Sequence, residues 1–188
     1  MPRRTIELAF GHHYHVYNRG NNRQRIFIKR ENYVHFLRVL REHFAEKVAV
    51  VAYCLMPNHY HLLVRLDSDD FSRIMHSFST AYAKAINKQH ERVGALFQGP
   101  FKASLVDEDE YLMHLSRYIH LNPVRAGLVS NAADWEFSSY RDYLRLRSGT
   151  LPQSGIVLSQ FGNVEDYESF VREYQEAERE KIEHLLFK

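Results

Sequence analysis

Residues 56–66 read MPNHYHLLVRL, and within them His59 and His61 stand two positions apart. In an extended strand alternate side chains leave the same face, so both imidazoles point to one side while Tyr60 points to the core on the other. Imidazole is a common ligand for divalent metals, and two on adjacent same-face positions supply half a coordination sphere from one rigid element. Further along, SRYIHLNPVRAGLV (116–129) sets Tyr118 and Asn122 four residues apart, on one helix face, where a phenol and an amide oxygen address a single site. Each feature has a plainer alternative. The chain holds 12 histidines, and His13 and His15 repeat the same spacing, so the pair at 59 and 61 also fits hydrogen-bonded surface or core residues. An arbitrary Tyr packs in a core, and an arbitrary Asn caps a turn.

A strand carrying such a pair needs a sheet around it. HHYHVYNRG (12–20) is aromatic and alternating before a glycine turn, which reads as the first strand. RENYVHFLRVLREHFAEK (30–47) places Tyr33, Phe36, Leu37, Leu40 and Phe44 at helical spacing. VAVVAYCLM (48–56) is an apolar run of strand length, and HYHLLVRL (59–66) follows across Pro57 and Asn58, so the two form a hairpin. FSRIMHSFSTAYAKAINKQ, behind Asp69 and Asp70, is a second amphipathic helix. ALFQGPFKASLV (95–106) is extended and broken by Gly99 and Pro100, and DEDEYLMHLSRYIHLN is a third helix whose acidic first turn suits its dipole. Pro123 disfavours helical geometry at Asn122, so that helix is expected to end or kink there.

The order β-α-β-β-α-β is ferredoxin-like, an α+β fold with an antiparallel sheet, helices on one face and the other face free. Residues 1–130 hold this core. Residues 131–188 are a connector and C-terminal extension. NAADWEFSSYRDYL is irregular or briefly helical, RSGTLPQSG is a loop, and VEDYESFVREYQEAEREKIEHLL is a single amphipathic C-terminal helix.

At 188 residues the chain buries a core without staples, so folding alone demands no metal. Cys54 is its one cysteine, which excludes an internal disulfide. With no secretion leader and no apolar run long enough to span a bilayer, the expected location is the cytoplasm and no membrane is an expected partner. Residues 134–188 carry 7 Lys/Arg against 11 Asp/Glu, and the residues before them 18 against 12. In the basic part, Arg19, Arg23, Arg25, Lys29 and Arg30 interleave with Tyr14, Tyr17, Asn18, Asn21, Asn22 and Gln24. That mixture offers phosphate donors and rings for stacked bases, or alternatively a solvated basic face.

Taken in order, YHVYNRGNNRQRIF (14–27), MPNHYHLLV (56–64), RYIHLNPVRAGLV (117–129) and WEFSSYRDY (135–143) resemble the single-tyrosine transposases of the HUH nuclease superfamily. More narrowly they look like the REP-associated tyrosine transposases, which act on repetitive extragenic palindromes. The resemblance covers about residues 10–145 and implies a ferredoxin-like HUH nuclease domain. It implies His59 and His61 as metal ligands, Tyr118 as nucleophile, and Asn122 as third ligand where the insertion-sequence branch has Gln. The implied ion is Mg²⁺ or Mn²⁺, although imidazole by affinity favours softer metals.

The implied reaction is cleavage and rejoining of single-stranded DNA at palindromic hairpins. Tyr118 attacks the scissile phosphate to give a 5′-phosphotyrosine and a free 3′-hydroxyl, with no ATP. Arg19, Asn21, Arg23, Arg25 and Lys102 are the expected DNA contacts, and Arg125 reaches either a bound phosphate or an acidic first turn. A monomer is expected, with a dimer as the alternative. A palindrome-binding regulator that keeps the HUH fold without cutting is the competing reading, and such a protein is expected to lose His59, His61 or Tyr118 first. The acidic C-terminal segment is expected to cover the active site, pack on the sheet or help recognise a hairpin foot.

Overall fold

The strands of the sheet send alternate side chains toward two separate hydrophobic clusters, one on either face, with β1 contributing only to the first. The computed structural model describes residues 6–174 and 176–186. Four strands, β1 (His13–Arg19), β2 (Val48–Met56), β3 (His59–Leu66) and β4 (Lys102–Val106), form an antiparallel sheet in the order β2-β3-β1-β4. With α1 (Arg30–Phe44) after β1 and α2 (Phe71–Gln89) after β3, this is the ferredoxin-like α+β arrangement expected from the element order.

The face carrying α1 and α2 is aromatic. Phe36 of α1 meets Phe78 and Tyr82 of α2 edge-on at 4.9 and 5.0 Å between ring centres, and Tyr60 of β3 packs beneath Phe36 at 5.1 Å. Tyr60 thus faces away from its two histidine neighbours, as strand parity requires.

The opposite face is not free. α3 (Asp109–Arg125) lies across it, joined by α4 (Tyr140–Tyr143), α5 (Gly155–Leu158) and α6 (Val164–Arg172). The cause is in β2, whose nine residues are all buried. A strand apolar on both sides needs cover on both sides. A bulge between Val50 and Ala52 shifts the parity, so Tyr53 and Leu55 join the α1/α2 core while Ala52, Cys54 and Met56 join the α3 core.

α3 passes through Pro123 without ending at Asn122. Its stop is Gly127, which takes a left-handed φ of 65°. The Leu128 amide donates to the Pro123 carbonyl and the Gly127 amide to that of Val124, the paired bonds that close a helix on a C-terminal glycine.

The C-terminal segment is not one helix. α6 ends at Arg172, and Glu176–Leu185 forms a 3-10 run; Gln175 lies outside the described residues. The sequence between Val171 and Ile182 is charged and has no continuous apolar stripe, so packing holds α6 through Tyr167 and Val171 and the later run through Ile182, Leu185 and Leu186. This run packs on the sheet face that carries α3.

His120 of α3 joins these added elements. Its ring is fully buried, with Nδ1 2.7 Å from the Tyr167 hydroxyl and Nε2 2.8 Å from the Ser139 hydroxyl. Burial pushes its pKa down from 6.5 to about 3. A histidine held neutral in the fold contributes stability that is complete above the unfolded pKa of 6.5 and is lost as pH falls toward about 3. Urea unfolding at pH 7 and pH 5 is expected to differ by about 2 kcal/mol from His120 alone, lower at pH 5. An unchanged midpoint would contradict this buried neutral ring.

Candidate active site

The site lies on the α3 face of the sheet. Register places Tyr17 opposite His61, Arg19 opposite His59, and Lys102 opposite Tyr17, so these five side chains leave one surface of three adjacent strands. Behind them on β2, Cys54 and Met56 pair with His61 and His59. Cys54 is fully buried, and burial drives its thiol pKa far above the ordinary range, so it is an inert packing residue.

His59 and His61 meet edge to face, ring centres 5.0 Å apart. His59 Nδ1 is 2.6 Å from the Asn58 side-chain oxygen, while the Asn58 amide nitrogen donates to the Arg23 carbonyl at 3.1 Å. His61 is buried, and its Nδ1 lies 2.9 Å from Nε2 of His15, whose own Nδ1 contacts the Leu185 carbonyl at 2.5 Å. Burial pushes His59 down to about 4, helped by the Arg19 charge. His61 falls well below its ordinary value through burial and then through its neighbours His15 and His59. His15, also buried, falls to about 4. All three rings are therefore neutral at pH 7.

Tyr118 reaches this group from α3. Its ring stands edge-on to His61, centres 5.8 Å apart, and the Arg125 guanidinium lies 5.5 Å from its ring centre. Tyr17 is the second phenol on this surface. Its pKa is raised by burial and then by Tyr118. Asn122 turns back along its own helix, donating from Nδ2 to the Tyr118 carbonyl at 2.9 Å. Arg125 donates to the Tyr174 hydroxyl at 2.9 Å and lies over that ring as well.

The remaining basic residues border this surface. Arg19 and Lys102, with Tyr17, Asn18, Gln98, Gly99 and Pro100, line a cleft of about 320 Å³. Arg19 donates to the Gln98 side-chain oxygen from Nε and Nη2. Asn21, Arg23 and Arg25 follow β1 in a tight loop, with both arginines exposed. Gly20 permits that loop: a Cβ there would sit 2.0 Å from the Gln24 carbonyl oxygen. The loop is tied to the turn before β3, since Gly20 donates to the Asn58 carbonyl and Ile26 and Phe27 both donate to that of Pro57.

Residues 9–122 match the family model described as "Transposase IS200 like". The chain belongs to the IS200-like transposase family. A relative from Haemophilus influenzae described as a REP-associated tyrosine transposase is 30% identical over 101 residues, 48% of this chain. The chain spans 57% of that relative's length. Among solved structures, a REP-associated tyrosine transposase bound to a REP hairpin aligns with a TM-score of 0.65 at 20% identity, over 77% of this chain and 86% of that one. That likeness is one of fold.

In this IS200-like transposase the fold brings His59, His61 and Tyr118 into one group and places Asn122 one turn beyond Tyr118 on the same helix. Sequence reasoning passed over two residues that touch the group, Asn58 and His15. Asn58 stands next to His59 and read only as a turn former. His15 shares its spacing with His13, which counts only toward the plainer reading of the pair at 59 and 61, and it faces the site because its strand runs antiparallel to β3 in this register. Among the described residues, no three His, Cys, Asp or Glu side chains are grouped to hold a metal. No helix among them is long and apolar enough to cross a membrane.

Proposed function

We propose that this transposase is a metal-dependent single-strand DNA endonuclease and strand transferase of the REP-associated type, acting at palindromic hairpins with Tyr118 as nucleophile. One observation carries the reading: a helical tyrosine edge-on to the inner member of a same-face histidine pair, 5.8 Å between ring centres. The Haemophilus influenzae relative and the hairpin-bound structural neighbour support the substrate class.

The donor set fits a divalent cation. Each imidazole holds its Nδ1 in a protein hydrogen bond, and the Asn122 amide nitrogen donates to the Tyr118 carbonyl, with Oδ1 as the acceptor atom of that side chain. When bound by His59, His61 and Asn122, Mg²⁺ or Mn²⁺ supplies charge neutralisation at the scissile phosphate. The chain's own residues do the rest. The Tyr118 phenol gives up its proton as its oxygen attacks phosphorus, the bond to the 3′-oxygen breaks, and that oxygen takes up a proton and leaves as a hydroxyl while the 5′-phosphate stays on the tyrosine. Attack by a 3′-hydroxyl on the phosphotyrosine reverses the step and reseals a strand. Because one phosphodiester is exchanged for another, no nucleotide cofactor is consumed.

Arg19 and Lys102 act as phosphate contacts in the cleft beside Tyr17, and Asn21, Arg23 and Arg25 extend that track along the exposed loop. Replacing Lys102 by Ala is expected to weaken binding of a single-stranded oligonucleotide several-fold and to lower the slope of log affinity against log salt by about 0.7, as for one lost phosphate contact. Fluorescence anisotropy at several salt concentrations measures both.

The deciding experiment incubates the protein with Mn²⁺ and labelled single-stranded DNA bearing a palindrome, then separates products on a denaturing protein gel. A covalent band whose peptide map puts the 5′-phosphate on Tyr118 is the expected result. Tight binding with no covalent product, across several palindromes and both metals, would favour the non-cutting regulator.

A further inference from the structure

We infer that His15 is a positioning residue which fixes the tautomer of His61, so that Nε2 of His61 is already the metal-accepting nitrogen before any metal arrives. The inference deepens the proposed metal-dependent reading and rests on it. Hydrogen-bond polarity carries it. A backbone carbonyl only accepts, so the 2.5 Å contact between His15 Nδ1 and the Leu185 carbonyl requires a proton on that nitrogen. In a neutral ring the other nitrogen then carries the lone pair, so His15 Nε2 accepts. The 2.9 Å contact to His61 therefore requires the proton on His61 Nδ1, and the lone pair of His61 falls on Nε2.

His59 reaches the same state by a separate route. The Asn58 amide nitrogen donates to the Arg23 carbonyl, so the oxygen facing His59 Nδ1 at 2.6 Å is an acceptor, and that Nδ1 is the protonated one. Both rings of the pair thus present the same nitrogen as donor of electrons, through partners on different elements. Both rings are fully enclosed, where an unpaired positive charge is costly, and a second proton on either ring would leave two donors facing each other across the 2.9 Å contact.

A side chain that only fills space at position 15 would be replaceable by an apolar one of similar size. A tautomer-setting side chain must accept a hydrogen bond at the position of Nε2. Gln offers an amide oxygen at that reach, and Leu offers nothing. Partners of this kind typically change metal affinity 10- to 100-fold when removed.

The test uses the whole protein in two measurements. Nitrogen-15 correlation spectra of the metal-free protein report which ring nitrogen of His61 is protonated, and calorimetric titration with Mn²⁺ reports affinity. We expect His61 as the Nδ1–H form in wild type, a loss of that single form in His15→Leu with Mn²⁺ binding about 10- to 100-fold weaker, and recovery of both in His15→Gln. The Nε2–H form in metal-free wild type overturns the inference. So does unchanged Mn²⁺ affinity in a His15→Leu protein whose spectrum shows it folded. Wild type that binds no Mn²⁺ overturns the metal reading itself and the inference with it, which separates the two failures.

Discussion

Tyr118→Phe is expected to abolish the covalent protein–DNA product, a loss of about 10³-fold or more, while hairpin binding and thermal stability stay near wild type. The substitution removes one hydroxyl and keeps the ring. Phe preserves the edge-on contact with His61 and the face offered to Arg125, so little packing changes. The informative comparison is Tyr17→Phe, because Tyr17 is the other phenol on this surface and Tyr118 bears on its ionisation. Burial raises the Tyr17 pKa, which works against its ionising to attack. Tyr17→Phe should therefore still cleave. A gel on which Tyr118→Phe keeps the adduct and Tyr17→Phe loses it would reverse the two roles.

His59→Ala is the second large effect, expected to reduce cleavage by about 10²- to 10³-fold with folding stability changed by about 1 kcal/mol or less. His59 stands at the start of β3, only partly buried, and one of its side-chain hydrogen bonds is to the adjacent Asn58. His61→Ala should cost the same activity and also about 3 kcal/mol of stability. It empties a buried site and leaves His15 Nε2 facing no donor. Cleavage rates and urea midpoints for the two variants separate a ligand that is structurally dispensable from one that is not. Equal destabilisation of both would mean that His61 is not held by the relay described above.

The layout of the sheet was legible because its signals are local. Alternation in residues 12–20 and 59–66, helical spacing in 30–47 and the turn at Pro57 and Asn58 each depend on a few consecutive side chains, and they suffice for the element order. Parity alone put His59 and His61 on one face. What stayed hidden depends on partners far along the chain. Nothing in the helical spacing of 107–122 says which face of the sheet it covers, so the α3 layer had no local sign except the unbroken apolar run of β2. Proline at 123 is a strong local signal and still lost to the glycine closure at 127, because the residues after it satisfy the end of the helix. His15 meets His61 across 46 residues, through a register that no window of sequence contains.

The connector after α3 closes one side of the sheet. Leu55 donates to the Phe137 carbonyl, Ser139 donates to that of Tyr53, and Gln153 donates to that of Val50, so the outer rim of β2 is occupied along much of its length. Trp135 and Phe137 cover the same rim from above, Phe137 stacked on Tyr33 at 3.9 Å and the Trp135 indole donating to the Leu55 carbonyl. An open rim is where a second copy, or an aggregating neighbour, adds a strand of its own. With that position taken by the chain's own residues, two molecules cannot merge their sheets through β2, and any partnership between copies must be built from helices, loops or shared DNA.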